Sequence, residues 1–211
     1  MKHTIRMPPE IWDRCMAHGK GIVHSYAQGN NPRSRLLGVQ DRDSIHDNPK
    51  VQGFGKLFEC AFCIWASIDI EELNWGKYSD DGYDIKIDDW RIDIKGSQKR
   101  TATKLIWPVS KNHFFDTLAT DAFVFARHIN NHQPAEIELV GWTTKEHFKS
   151  HHQTAGKRTE KYHLSEGTWF MEATGLWPMD DMHRVMSLEG RRMINNPIRH
   201  ITKLVKIGAA E

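Results

Sequence analysis

One stretch, Gly82–Ser97 (GYDIKIDDWRIDIKGS), limits what this chain can fold into more than any other. It consists of two alternating runs about the pair Asp88–Asp89. In the first run Tyr83, Ile85 and Ile87 share one side and Asp84 and Lys86 the other. In the second, Trp90, Ile92 and Ile94 oppose Arg91, Asp93 and Lys95. Alternation with period two is the pattern of half-buried antiparallel strands. A two-residue turn at 88–89 pairs 87 with 90, 85 with 92 and 84 with 93. Asp84 and Asp93 then stand side by side, with Lys95 two residues on along the same face. Carboxylates opposed across a sheet repel by roughly 0.2–1 kcal/mol when solvated, and by more when shielded. A hard divalent cation reverses the sign of that interaction. Without a cation, the same residues form a solvated polar face stitched by Lys86 and Arg91.

The chain has 211 residues and a net charge of +2. Its length predicts one domain, with an N-terminal accessory segment over 1–50, a core over 51–150 and a C-terminal elaboration over 151–211. It lacks any run of about 18 apolar residues, and its start, MKHTIRMPPEIWDR, has no signal-peptide core. These features predict a soluble, cytoplasmic protein with no membrane partner. Cys15, Cys60 and Cys63 make no disulfide framework, and Cys60-x-x-Cys63 lies in an apolar helical run, so core packing is its expected role. Charge is unevenly placed. From Asp69 to Asp93 there are nine acidic and three basic residues; Ile94–Phe115 and Gly190–Lys206 each hold five basic residues and no acidic one. An acidic cluster between basic segments suits a cation site that also holds a polyanion, or else ordinary solvated surface.

Pro8-Pro9 leads into a helix from Glu10 to about His18, interrupted by Gly19 and Gly21. The polar stretch 28–35 reads as loop, with Arg33 and Arg35 as phosphate contacts or surface. Asn48-Pro49 precedes a strong helix from Gln52 to about Ile68, whose buried stripe is Phe54, Leu57, Phe58, Ala61, Phe62, Trp65 and Ile68, widened by Cys60, Cys63 and Ile64. Glu59 is the odd residue in its middle: a carboxylate there is costly unless paired or bound to a cation, and Lys56 at i,i−3 is the available partner. After the hairpin come a strand over 102–109, a short helix over 111–118, an apolar central strand over 121–129 and a strand over 136–142. Thr144 caps a helix from Lys145 to His151. Residues 156–162 form a basic loop, and the rest mixes turns and short helices.

A helix with a carboxylate, three strands, a helix and a strand, with Asp84 followed by Asp93-Ile94-Lys95, resembles the PD-(D/E)xK nuclease superfamily over roughly residues 52–142. Tyr83 stands where that motif's proline would be. The resemblance implies an α/β fold with a restriction-endonuclease-like core, a mixed β-sheet flanked by helices. It implies a magnesium-dependent deoxyribonuclease, with manganese able to substitute. Asp84, Asp93, the Ile94 carbonyl and Glu59 would hold the metal, and Lys95 would assist the attacking water and the phosphate. DNA is the implied partner, and a homodimer is compatible with it. Ser97, Gln98, Lys99, Arg100, Thr101 and Lys104 follow the motif and are of the types that contact phosphates; Arg191, Arg192, Arg199 and Lys203 are a second set. Two other classes compete. One is a non-catalytic nucleic-acid-binding protein on the same fold. The other is a zinc protein built from some of the 13 histidines, above all His147 and His151, with Glu146 and His152 adjacent; His128-Ile-Asn-Asn-His132 faintly resembles an HNH-type nuclease but lacks its ββα-metal context.

Overall fold

In the computed structural model, residues 3–27, 48–76, 82–107, 115–130, 132–156, 164 and 166–189 are described. In chain order the elements are β1 (His3–Arg6), α1 (Pro9–Ala27), α2 (Pro49–Ala66), β2 (Ile85–Ile87), β3 (Trp90–Ser97), β4 (Lys104–Trp107), β5 (Ala122–Asn130), β6 (Glu136–Thr144), α3 (Lys145–His151), β7 (Gln153–Thr154), β8 (Trp169–Glu172) and α4 (Met179–Glu189). The fold is mixed α/β. Five strands form one sheet in the order β1-β6-β5-β3-β2, and β4-β8-β7 form a second. In the larger sheet β3 and β5 are parallel and the other pairs antiparallel.

Side chains of β5 alternate between two cores, as a strand's pleat requires. Ala122, Val124 and Ala126 join Ile92, Ile94, Ile137 and Leu139 beneath the apolar stripe of α2. Phe123 and Phe125 point the other way, to Leu105, Trp107, Phe115, Phe148 and Met171. The smaller sheet contributes Leu105, Trp107 and Met171 to this second core, so it covers the far face of β5.

Helix α2 begins as its sequence directs. Asn48 is the N-cap, its side chain accepting from the Lys50 N–H, and Pro49 follows where a helix needs no N–H donor. It stops at Ala66, with Ser67 in the left-handed region at φ 57°. Phe54, Leu57, Phe58, Ala61 and Phe62 are buried as the periodicity predicts, whereas Ile64 is exposed. All three cysteines are buried and free, with Cys15 Sγ 3.7 Å from Cys60 Sγ. Thr144 caps α3, accepting from the His147 N–H at 3.1 Å.

Three expectations are corrected. Helix α1 runs unbroken through Gly19 and Gly21 to Ala27. Gly19 is a contact residue: a Cβ there would lie 2.2 Å from the Pro49 carbonyl oxygen and 2.5 Å from the Gly53 nitrogen, so its hydrogen lets α1 press on α2. Second, the strand after the hairpin leaves the main sheet. β4 pairs with β8, register Leu105↔Met171, and β3 takes β5 as its parallel neighbour. Third, Phe115–Thr117 form a turn where a helix over 111–118 was expected; residues 111–114 lie outside those described. The stretches 28–35, 157–162 and 191–203, with their basic residues, are also outside them.

No helix among the described residues is long and apolar enough to cross a membrane.

Candidate active site

The hairpin forms in the register that its alternation predicts: Ile87 opposes Trp90, Lys86 opposes Arg91 and Ile85 opposes Ile92. Asp88 closes the two-residue turn with φ 51°, a conformation that aspartate tolerates better than most residues. β2 covers only Trp90–Ile92 of β3, which runs on to Ser97, so among the described residues no strand lies beside that edge of β3 past Ile92.

Asp84 fills the start of that gap. Its N–H donates to the Ile92 carbonyl at 2.9 Å, and its carboxylate accepts the Ile94 N–H at 2.6 Å. The carboxyl therefore turns toward the sheet edge to cap a ladder donor that β2 leaves unmatched, instead of standing squarely opposite Asp93. Within a strand the N–H and C=O of one residue project the same way. The Ile94 carbonyl accordingly faces this same edge.

Asp93 and Lys95 project from the face opposite α2. Asp93 is 6% exposed, and the Lys95 ammonium lies 2.7 Å from its Oδ1 and 2.6 Å from its Oδ2. The same ammonium stands 5.6 Å from the centre of the Trp107 ring. From the helix side, Glu59 is nearly buried and is held by Lys56, whose ammonium also donates to the Asn74 carbonyl at 2.9 Å.

These charges act on one another. Burial pushes the Asp84 carboxyl well above the usual carboxylate range, and the negative charges of Glu59 and Asp93 push it further; Lys95 and the Ile94 N–H pull only partly back. Burial works to lower the Lys56 ammonium, but the charge and hydrogen bond of Glu59 outweigh it and hold it above its ordinary value, with Asp84 adding in the same direction. Asp84 is thus the centre of the group, with Glu59 above it and Asp93 beside it.

Every candidate donor is an oxygen, which is what magnesium or manganese takes. A carboxyl squeezed between two other negative charges is also the situation that a cation relieves. Among the described residues no group of three His, Cys, Asp or Glu side chains is arranged as a ready-made cation site. Two lysines hold the flanking carboxylates, Lys56 on Glu59 and Lys95 on Asp93.

Beyond Lys95, Gln98, Lys99 and Arg100 are exposed. The Ser97 hydroxyl accepts the Lys99 N–H at 3.3 Å, and the Ala102 N–H closes a turn on the Lys99 carbonyl at 3.0 Å. Arg127, which the sequence did not single out, anchors this turn. It donates to the Ala102 carbonyl at 2.7 Å and is itself fixed by Glu138 at 2.6 Å. Lys104 departs from its neighbours: it is buried, 2.7 Å from Glu172 and 3.8 Å above the Phe170 ring, so its charge serves the β4–β8 pair.

His147 and His151 stack at 4.1 Å, and His147 also lies against Trp177. The His151 Nδ1 is engaged with Ser150 and the His147 carbonyl. His128 is buried between Phe54 and Phe58. None of these histidines is near a second ligand set among the described residues.

No family model, curated protein or solved structure matches this chain.

Proposed function

We propose that this protein is a metal-dependent nuclease that hydrolyses phosphodiester bonds in DNA, built on a restriction-endonuclease-like arrangement and acting with magnesium or manganese. The observation that carries this reading is the group around the open edge of β3: a buried Asp84 carboxyl that Glu59 and Asp93 both act on, with Lys95 on the Asp93 carboxylate. Asp84, Asp93, Glu59 and the Ile94 carbonyl are the residues that would hold the cation. When bound, such a cation activates a water and neutralises phosphate charge.

The chain's own groups cover the remaining needs of the reaction. Lys95 is half-buried beside Asp93 and places a fixed positive charge where the pentavalent phosphate gains negative charge. The exposed Gln98, Lys99 and Arg100 lie three to five residues beyond Lys95 on a turn pinned by Arg127, a suitable position for the backbone of a bound strand. The departure of β4 into a second sheet sets the chain apart from a simple three-strand meander. That departure leaves the hairpin, where the proposed chemistry lies, untouched.

The test is cleavage of supercoiled plasmid, linear duplex, single strand and branched junction with magnesium, manganese or EDTA, comparing wild type with Asp93→Ala. Metal-dependent cutting that the substitution abolishes is the expected result. Binding to the same DNAs without cutting under any metal would overturn the enzymatic reading in favour of a binding module. Two protomers per cut duplex, measured by sedimentation on the preferred substrate, would establish the dimeric form.

A further inference from the structure

We propose that Arg127 is a positioning residue for a bound nucleic-acid strand. It touches no phosphate itself, but holds the link 98–103 in one shape, so that Lys99 and Arg100 are in place before the strand arrives. The inference rests on the DNA-binding part of the nuclease reading and deepens it.

The link carries the chain from β3 in the larger sheet to β4 in the smaller one. Gln98, Lys99, Arg100 and Thr101 are exposed in succession, and each ends in a cationic or hydrogen-bonding group. Among the described residues neither Lys99 nor Arg100 forms an ion pair, and the sequence has no acidic residue between Asp93 and Asp116. Two adjacent cations with no carboxylate of their own segment beside them complement a polyanion. An exposed link held only at its ends would sample many shapes, and binding would have to order it, with an entropy cost for every residue fixed.

This link is held within as well. The Ser97 hydroxyl accepts the Lys99 N–H, the Ala102 N–H donates to the Lys99 carbonyl, and the Ala173 N–H donates to the Thr103 carbonyl at 2.7 Å. Just outside the link, the Lys95 ammonium and the Trp107 ring close its base at 5.6 Å. Arg127 is the central support. Ser97, Arg127 and Glu138 are register partners across β3, β5 and β6, and the Arg127–Glu138 pair belongs to the fold because it joins neighbouring strands. A second arm of the guanidinium, Nη1, leaves the sheet and donates to the Ala102 carbonyl at 2.7 Å. A guanidinium presents its donors in a rigid planar fork, so anchoring Nε on Glu138 fixes where Nη1 points. A lysine ammonium is a point charge on a flexible stem. It could keep the ion pair, but not that two-armed geometry.

The experiment measures binding of a short DNA duplex to the full chain in EDTA, over a range of salt, as a double-mutant cycle. Its members are wild type, Arg127→Lys, the pair Lys99→Ala with Arg100→Ala, and all three substitutions together, each checked for folding by circular dichroism. Arg127→Lys should bind about tenfold more weakly, the scale of ordering about one further residue, with its salt slope unchanged because both cations remain. The alanine pair should lower the slope by about 2. In that background Arg127→Lys should weaken binding no further, since residues that act through one another are not additive. Wild-type affinity in Arg127→Lys, or a full tenfold loss on top of the alanine pair, would overturn the proposal. If Arg127→Lys does not fold, Ala102→Gly loosens the same turn with Arg127 still on Glu138. Weaker binding at an unchanged slope is then expected, and wild-type affinity would overturn the proposal. If the cycle behaves as expected but no metal supports cutting, the enzymatic reading falls and the role of Arg127 stands. If wild type cuts DNA and Arg127→Lys binds and cuts equally well, the nuclease reading stands and the role of Arg127 falls. If wild type binds no DNA, both fall together.

Discussion

The two sides of β3 solve different problems. Toward α2, Trp90, Ile92 and Ile94 are buried, and Gly96 lies so close that a Cβ there would come within 1.8 Å of the Phe58 ring. That side is explained by burial and packing alone. Toward the second core stand Arg91, Asp93, Lys95 and Ser97. Arg91 has a structural reason to be charged: it meets Asp121 through side-chain bonds of 2.8 and 2.9 Å, tying the start of β3 to the approach to β5. Asp93 and Lys95 pair within a single strand, the Lys95 ammonium also standing 5.6 Å from the centre of the Trp107 ring, and Asp93 is as buried as much of the core. What the contrast teaches is that ion pairs need sorting by what they connect. A pair between elements belongs to the fold, whereas a buried pair inside one element calls for another explanation.

The sharpest way to break this comparison is on the polar side. Asp93→Ala should lower metal-dependent cleavage by at least about a hundredfold, on the scale of removing one charge-stabilising group, while circular dichroism stays unchanged. Arg91→Ala should do the reverse, lowering the melting temperature while cleavage by the folded fraction persists. A large loss of stability in Asp93→Ala would assign that pair to the fold after all. On the apolar side, Gly96→Val should cost about 1–3 kcal/mol or more in urea unfolding, since Phe58 must move to make room. Undiminished stability would mean that α2 is free to shift.

A finer test uses pH. The raised Asp84 carboxyl means that the folded, metal-free chain holds a proton that the unfolded chain has already released. The Asp84 contribution to stability should therefore be fully present in acid, and should be lost as pH rises from the ordinary carboxylate range toward the folded value. Asp84→Asn keeps an acceptor for the Ile94 N–H but removes the charge. It should be the more stable protein, by a margin that grows with pH across that window, as thermal melts in EDTA would register. Equal melting at every pH would place Asp84 outside the charged group. The smallest effect belongs to the exposed turn. Lys99→Ala and Arg100→Ala should each reduce the salt-dependence slope of DNA binding by about 1, whereas Lys104→Ala should leave the slope alone and weaken the β4–β8 pair.

Local patterns carried most of the site. The hairpin register follows from six alternating apolar residues and a turn pair, all within Gly82–Ser97, and it came out as read. The cap residues Asn48 and Thr144 were equally visible, because capping is decided within three or four positions. What could not be read depends on partners far along the chain. β4 looks like the next strand of the hairpin sheet, but its partner is β8, more than sixty positions on, and nothing in Lys104–Trp107 specifies which sheet it will join. Gly19 reads as a helix breaker because propensity sees only the missing side chain, not the neighbouring helix that needs the space. Asp84 lies where the alternation put it along the chain, but its turn toward the edge depends on where β2 stops, a boundary that alternation does not fix.

The contact at Gly19 reaches further than its own helix. Gly19 and Gly53 set the spacing of α1 and α2, and Glu59 sits less than two turns along α2 from Gly53. The height of that carboxylate above the sheet is therefore gauged by a contact between two backbones, with no flexible side chain to absorb an error. A single added methyl on the outer helix would act as a shim. It would lift α2 away from β3 and widen the gap between Glu59 and Asp84 without altering any residue of the candidate site. In this sense the N-terminal helix works as a calibrating part of the site, although it contributes no carboxylate to it.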